Sequence, residues 1–513
     1  MRHGLSFVCA LVAGLSVACG GSPASDGAAP GDADPRDVAS DAGLPPNDTR
    51  VDPDAAAAPD TAAALDAATD ASETDGAPWS AALIEPARAC TDLVDAIYLP
   101  HPLPTMTDAA RGDVVGCARD VELDASAVDS AMSASGVTVD FPAGAVRLLR
   151  IAYRTYRADG VEGTSSARVY LPVTPRPGPL PVLVVAHPTE GLAPGCTPSR
   201  NLDHLRDLAL PWAAKGYAVI APDFAGLGTV GVQGYLDNHD TAHSVLDAAR
   251  ALRKLLHVGA LSDQVALIGF SQGGGAVLSA QALAGSYGCD GTPRAVVAFA
   301  PQWPTRLNSF AFVDLLRAPD SLTIASGITN PVVAVMRTYS WFANYVGASS
   351  AGDGFDTGLR GPFVDALQTL CLKPLGGEIQ GYAPHLGDLL DGALRESLLA
   401  CIDDDTSAKC TGAGKRFHAW LRGNVVHADP KGAPILYVQG LADWIMPPGS
   451  EAACNVAALE ADGVTPQICA DGPAQHTDVV ARNVGFAIHW VEAVLAGSTP
   501  PRCEVTTLPA CTP

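Results

Sequence analysis

The chain has 513 residues, of which 48% are apolar and only 17% are charged. This length allows two or three domains, and the composition allows most of the chain to bury a core. With 32 Lys and Arg against 55 Asp and Glu, the formal net charge is −23. That charge argues against a nucleic-acid partner, because contacts to phosphate need clustered basic side chains.

The N-terminus has the pattern of an export signal. Residues 1–3 are positively charged and residues 4–18 form an apolar run of 15 residues, which is too short to span a bilayer. Residues 15–19 resemble a bacterial lipobox, although Ser16 stands where Leu is preferred. We therefore predict a signal peptide over 1–19, with Cys19 lipidated as a peripheral membrane anchor. The alternative is an ordinary signal that is cut nearby and releases a soluble exported protein.

Residues 20–78 consist mainly of Ala, Asp, Pro and Gly and contain 13 acidic but only two basic residues. Such a segment cannot bury enough apolar surface to offset the entropy lost on ordering. We predict a disordered acidic linker here, which tethers the folded part to the cell envelope.

The cysteines also indicate an exported protein. Of 13 cysteines, Cys9 and Cys19 belong to the predicted signal, which leaves 11 in the mature chain. An oxidising compartment favours disulfides among them, and an odd number leaves at least one without a partner in the chain. No Cys-x-x-Cys or His–Cys cluster at zinc spacing occurs, so no metal site is predicted. The candidate pairs are Cys401/Cys410, Cys454/Cys469, Cys503/Cys511 and Cys90/Cys117.

From residue 79 onward, apolar strand patterns alternate with helical ones. Residues 146–156 and 166–172 alternate in part and predict half-exposed strands, whereas continuous apolar runs predict strands covered on both faces. Alternation of strands with helices favours an α/β fold with a mostly parallel sheet flanked by helices. We assign 79–301 and 432–513 to this core. The continuous apolar runs are 181–186, 217–222, 265–270, 295–300 and 434–439.

Between the two parts of the core, residues 302–431 show helical periodicity without buried-strand runs. We predict an inserted helical cap, with helices near 363–372 and 389–402. Residues 321–348 are strongly apolar, but Pro331 and several polar residues interrupt them. A buried cap helix is therefore expected there rather than a membrane span.

The sequence Gly269-Phe-Ser271-Gln-Gly273 lies between an apolar strand pattern and a helix of small residues. In this context Gly-x-Ser-x-Gly predicts a nucleophile elbow, a sharp turn that exposes a serine hydroxyl. The flanking glycines allow strand and helix to approach closely. The alternative is a glycine-rich turn of another α/β protein.

A serine nucleophile needs a base and an acid that orients the base, and in this fold class they follow in the order Ser, Asp, His. Asp443 lies at the carboxyl end of the predicted strand 434–439, although it could merely cap the next turn. Only two histidines follow Asp443. His489 lies within a predicted helix, whereas His476 lies in a loop and is our candidate base. A Cys454–Cys469 bridge would fasten that loop.

The negative oxygen formed during acyl transfer needs two N–H donors. We expect one from Gln272, which follows the serine, and one from the loop after strand 181–186. Pro188 in that loop has no N–H. Thr189 is the better donor, with Glu190 second, and His187 shapes the loop.

Residues 184–198, residues 216–228 and the Ser271 elbow together resemble secreted bacterial lipases and the secretory lipase family. The resemblance covers roughly residues 146–495, interrupted by the cap. It implies an α/β-hydrolase fold that acts on carboxylic esters, with a helical lid over an acyl site.

The resemblance also supports Ser271, Asp443 and His476, position by position. One departure is Pro188, which stands where the family usually has glycine and affects the assignment of the second oxyanion donor. Asp223 matches a family position but precedes the serine, so we interpret it as structural.

The sequence therefore predicts an exported serine esterase or lipase that acts on a lipid or small-molecule ester and needs no cofactor. The same triad would serve a serine peptidase of this fold. A non-catalytic surface lipoprotein that binds a ligand is the alternative from another functional class.

Overall fold

The computed structural model describes residues 79–305, 316, 331–382 and 386–512. The predicted signal peptide 1–19, the lipidation site Cys19 and the linker 20–78 lie outside the described residues.

A single sheet of nine strands forms the centre of the described part. The strands lie in the order β1-β2-β3-β5-β4-β6-β7-β8-β9. The first three are antiparallel to their neighbours, and β5, β4, β6, β7, β8 and β9 are parallel. The strands are β1 Val114–Leu123, β2 Val146–Tyr156, β3 Glu162–Pro172, β4 Leu180–Ala186, β5 Ala218–Pro222, β6 Leu261–Phe270, β7 Thr292–Phe299, β8 Ile435–Gly440 and β9 Gln467–Asp471.

Helices cover both faces of this sheet. One face packs against α3, α4 and α11, and the other packs against α1, α2 and α12. The parallel strands are apolar on both faces because both faces are covered. The helices of the core are α1 Ala125–Ala134, α2 Leu210–Ala214, α3 Asn238–Leu255, α4 Gln272–Tyr287, α11 Ala453–Ala461 and α12 Val479–Leu495.

The prediction that β2 and β3 are half-exposed is wrong, because nearly every residue of both strands is buried. Their alternating pattern comes from arginines that are buried in ion pairs. Arg150 Nε lies 2.7 Å from Asp120, and Arg154 lies 2.6 Å from Glu162. Paired charges can be buried at a tolerable cost, so alternation here does not indicate exposure.

The described residues of the segment between β7 and β8 form helices joined by loops, and their buried apolar side chains form a cluster together with Leu192, Tyr235 and Leu236. We call this segment the cap. The helices near 363–372 and 389–402 are present as α6 and α9, with bounds shifted by a few residues. Within the described residues, no helix combines the length and the hydropathy that a membrane span requires. The cap helices are α5 Pro331–Tyr345, α6 Arg360–Thr369, α7 Leu372–Tyr382, α8 Leu386–Leu389, α9 Gly392–Asp403 and α10 Gly412–Gly423.

The disulfides confirm only part of the predicted pairing. Cys90–Cys117 and Cys401–Cys410 are bonded as expected. The pairs Cys454/Cys469 and Cys503/Cys511 are wrong. Instead the structure contains Cys454–Cys511, Cys469–Cys503 and Cys196–Cys371, and within the described residues Cys289 is free.

The C-terminal tail explains these exchanged partners. It returns along the sheet, where the N–H of Ala470 donates to the carbonyl of Val505 at 2.9 Å. Further on, the N–H of Thr512 donates to the carbonyl of Gly449 at 3.2 Å. Cysteines of the tail therefore bond to cysteines of β9 and α11. Pairing cysteines by their closeness in the sequence does not predict these bonds. β9, the strand that leads into the loop with His476, is thus bonded to the tail rather than to α11.

Candidate active site

Ser271 lies in a sharp turn between β6 and α4. Its φ of 53° and ψ of −117° are a conformation that residues with side chains rarely adopt, as expected for a nucleophile elbow. The N–H of Ser271 donates to the carbonyl of Phe299 at 2.9 Å, and its own carbonyl accepts from the N–H groups of Gly275 and Gln302. The backbone of the serine is therefore held from both sides.

The two flanking glycines are required by close backbone contacts. A Cβ on Gly269 would lie 2.1 Å from the carbonyl oxygen of Gly273. A Cβ on Gly273 would lie 2.0 Å from the carbonyl oxygen of Ala186. The first turn of α4 thus packs directly against the end of β4, which brings the loop after β4 next to the serine.

His476 lies in the loop between β9 and α12 and connects the two other predicted site residues. Its Nε2 is 3.0 Å from Ser271 Oγ, and its Nδ1 is 2.8 Å from Asp443 Oδ2. The imidazole also packs against the Phe270 ring, with 4.8 Å between the centroids. With the proton on Nδ1, the ring donates to the carboxylate and accepts from the serine hydroxyl.

Asp443 lies in the turn after β8 and is bound by more than the histidine. Its Oδ1 accepts from the N–H groups of Ile445 and Met446 at 2.9 and 2.7 Å. The other oxygen accepts from His476 and from the Gln439 amide, the latter at 3.4 Å. Asp443 therefore caps the turn and also contacts the His476 imidazole.

All three side chains are nearly excluded from solvent, with 6% of Ser271, 8% of His476 and 2% of Asp443 exposed. Burial strengthens the electrostatic interactions among them, because the local dielectric constant is far lower than that of water. The arrangement can take a proton from the hydroxyl and stabilise the resulting imidazolium.

Gln272, one predicted oxyanion donor, is the first residue of α4. The first N–H groups of a helix have no partner within it and bind anions well. Its side-chain amide is buried and without a hydrogen-bond partner among the described residues.

The other predicted donors lie in the loop after β4. The Thr189 hydroxyl is 3.1 Å from the Tyr235 hydroxyl. Glu190 contacts His204 at 3.3 Å, and this hydrogen bond raises the pKa of His204. The carbonyl of Glu190 accepts from the N–H of Leu372 in the cap at 2.9 Å. The loop is therefore bonded to the cap on one side and to Tyr235 on the other.

His187 and Asp223 are structural, as expected. The buried His187 ring lies between two carbonyl oxygens, with Nδ1 2.6 Å from that of Pro188 and Nε2 3.1 Å from that of Asp223, and its N–H donates to one of them. The Asp223 carboxylate accepts hydrogen bonds from Ser166 and Ser199. Both side chains therefore contact the loops that follow β4 and β5.

His489 lies on α12, and its Nε2 contacts Asp140 at 3.0 Å on the surface. It therefore packs on the outside of the core, as the helical pattern predicts. In the parts of the chain that the structure describes, no three His, Cys, Asp or Glu side chains are grouped as metal ligands.

Sequence reasoning missed Tyr235, which is completely buried beside the loop after β4. It also missed the Cys196–Cys371 bridge between that loop and the cap. Cys196 lies within residues 184–198, one of the segments with family resemblance, which could have drawn attention to it. Nothing in the sequence around Tyr235 indicates its position.

Residues 206–308 match the model of the secretory lipase family. This segment includes the Ser271 elbow, so the resemblance inferred from the sequence is confirmed. No curated protein sequence matches the chain.

Solved structures extend the likeness to most of the chain. The rice cell wall degrading esterase LipA from Xanthomonas oryzae is 19% identical with a TM-score of 0.54, covering 75% of this chain and 97% of its own. Candida antarctica lipase A is 16% identical with a TM-score of 0.54, covering 79% and 86%. The protein has an α/β-hydrolase fold.

A putative hydrolase from Legionella pneumophila also matches, at 19% identity and a TM-score of 0.54, covering 73% of this chain and 96% of its own. At such identities the likeness concerns the fold. Ser271 lies in the strand-to-helix turn after β6.

Proposed function

We propose that this protein is an exported serine hydrolase that cleaves carboxylic esters. The observation that carries the proposal is the hydrogen-bonded chain Ser271–His476–Asp443 on the strained turn after β6. Such a chain activates a hydroxyl for attack on a carbonyl carbon. The family match over 206–308 supports an ester as the substrate.

In the proposed mechanism, Ser271 Oγ attacks the ester carbonyl carbon while His476 Nε2 takes the hydroxyl proton. Asp443 stabilises the imidazolium, and the N–H groups of Gln272 and Thr189 stabilise the negative carbonyl oxygen. His476 then donates the proton to the leaving alcohol, which leaves the acyl group on Ser271. Water, deprotonated by His476, attacks this acyl-enzyme and releases the acid.

We propose a lipid or small-molecule ester as substrate, since the likeness is to a lipase family and to esterase and lipase structures. The five disulfides support an extracytoplasmic location, because such bridges persist in oxidising compartments. Lipidation of Cys19 would hold the enzyme at the cell envelope through the linker 20–78.

The test is to treat the wild type and Ser271→Ala with a fluorophosphonate probe and with p-nitrophenyl esters of short to long acyl chains. The wild type should be labelled at Ser271 and should hydrolyse at least part of the panel. Ser271→Ala should not be labelled and should lose about 10,000-fold or more in kcat.

A Ser271→Ala variant that retains wild-type activity would falsify the mechanism. A folded wild type that is neither labelled nor active favours the non-catalytic, ligand-binding alternative. Circular dichroism of both proteins checks that they are folded.

A further inference from the structure

The hydroxyl of Tyr235 lies between Thr189, a proposed oxyanion donor, and Gln302, which contacts the backbone of Ser271. It lies 3.1 Å from Thr189 Oγ1, in the loop after β4. It also lies 3.4 Å from the side-chain oxygen of Gln302, whose own backbone N–H donates to the carbonyl of Ser271 at 2.8 Å. A chain of hydrogen bonds thus runs from Thr189 to the backbone of the nucleophile.

Tyr235 is fully buried, and burial raises the pKa of its phenol well above the ordinary value. The phenol therefore stays protonated and can donate to one neighbour while accepting from the other. Because a buried hydroxyl is costly without partners, these contacts restrict the position of the Thr189 side chain.

The cap fixes Tyr235 in turn. The N–H of Tyr235 donates to Ser340 Oγ at 2.8 Å, and Trp341 Nε1 donates to the carbonyl of Tyr235 at 3.0 Å. Ser340 and Trp341 are consecutive residues of α5, and both are buried. The backbone N–H and the carbonyl of Tyr235 are therefore both hydrogen-bonded to side chains of α5.

We propose that Tyr235 is a positioning residue, which sets the spacing between the Thr189 N–H and the nucleophile and so completes the oxyanion site. This inference rests on the proposed function. The loop contains Pro188, so Thr189 provides its first N–H after His187. A displacement of about 1 Å in a catalytic group can cost about 100-fold in rate, so a single lost hydroxyl that frees the loop has a measurable effect.

The test is Tyr235→Phe, which removes the hydroxyl and keeps the ring. We expect kcat for an ester that the wild type cleaves to fall about 10- to 100-fold, since removal of one oxyanion donor costs about 100- to 1,000-fold. KM should stay within about twofold, because the negative oxygen exists only in the transition state.

Thr189→Val breaks the same hydrogen bond from the other side and keeps the backbone N–H. It should give a similar loss in kcat, and the double variant should lose little more than either single one, because both remove the same interaction.

Tyr153→Phe is the matched control. Tyr153 is also fully buried, and its hydroxyl donates to the carbonyl of Ser244 at 2.7 Å. The kcat of Tyr153→Phe should stay at the wild-type value even if the melting temperature of this variant falls.

Wild-type kcat in Tyr235→Phe would overturn this inference and leave the proposed function standing. An equal loss of kcat in Tyr153→Phe, or fully additive losses in the double variant, would also overturn it, because either result indicates a general packing effect. A wild type without turnover of any ester overturns the proposed function and this inference together.

Discussion

At the scale of single residues, the Ser271 turn depends on two positions that carry no side chain. A Cβ at Gly273 would lie 2.0 Å from the carbonyl oxygen of Ala186. That atom belongs to the end of β4, in the middle of the sheet, and can move only if the strand moves. Because the loop with Thr189 continues from β4, such a movement would also displace the proposed oxyanion donor.

We therefore expect Gly273→Ala to lower the free energy of unfolding by about 2–4 kcal/mol and kcat by about 100-fold or more. The matched control is Gly285→Ala in the same helix, where an added Cβ has no atom within 4 Å. Alanine should be neutral there or stabilise the helix by about 0.5–1 kcal/mol. Urea unfolding and ester hydrolysis measure both quantities, and a Gly273→Ala variant as stable as the wild type would contradict the close contact.

At the scale of elements, the loop after β4 is bonded to the start of the cap helix α7, although the two segments are far apart in the chain. Cys196 and Cys371 are 175 residues apart and bonded. Beside this bridge, the N–H of Leu372 donates to the carbonyl of Glu190 at 2.9 Å, and Gly191 pairs with Cys371. The start of α7 therefore forms one wall of the loop that contains Thr189.

Replacing Cys196 and Cys371 together by serine should destabilise the protein by several kcal/mol and reduce kcat. In the chain-entropy model, a bridge over 175 residues stabilises by about 2–3 kcal/mol more than the bridge over nine residues between Cys401 and Cys410. Removal of that shorter bridge is the control and should leave kcat unchanged. Equal kcat in both double variants would indicate that the loop keeps its position without the cap bridge.

At the scale of the whole molecule, stability depends on buried groups outside the triad whose pKa values are shifted from their ordinary values. The His243 ring stacks on Tyr287 at 3.8 Å between centroids. Burial, with the nearby His239, lowers the pKa of His243 to about 4. Burial raises the pKa of Asp240 to about 6, so these two groups have opposite effects on stability between pH 4 and 6.

For His243 the unfolded state binds a proton near pH 6.5, whereas the folded state binds it only near pH 4. The unfolded state therefore holds more protons in this window, and stability falls as the pH decreases through it. His243→Phe keeps a stacked ring and removes the titration. Between pH 7 and pH 4.5 the wild type should lose up to about 3 kcal/mol of unfolding free energy relative to the variant, because only the wild type has this titrating group.

Urea unfolding of both proteins at several pH values measures this shift, and the contribution of Asp240 cancels in the difference. A difference that stays constant with pH would show that His243 titrates normally in the folded protein.

Patterns within short stretches of sequence predicted most of the core. The bounds of β2 agree with the predicted range 146–156, and the other predicted strands agree within a few residues at either end. Two strands were not predicted: the ten-residue β1 at one edge of the sheet and the short β9 at the other. β9 has five residues and lacks a long apolar run, so nothing in its pattern distinguishes it from a loop.

The sequence alone determined which residues could form the candidate site. The elbow is local, and the order Ser, Asp, His left only His476 and His489 as bases, of which one lies in a loop. The tertiary structure decided the contacts between segments distant in the chain: the disulfide partners of Cys454 and Cys469, the burial of Arg150 and Arg154, and the place of Tyr235 beside Thr189. The physical reason is that local patterns reflect backbone preferences and burial of one face, whereas these contacts depend on how the tail, the strands and the cap pack against one another.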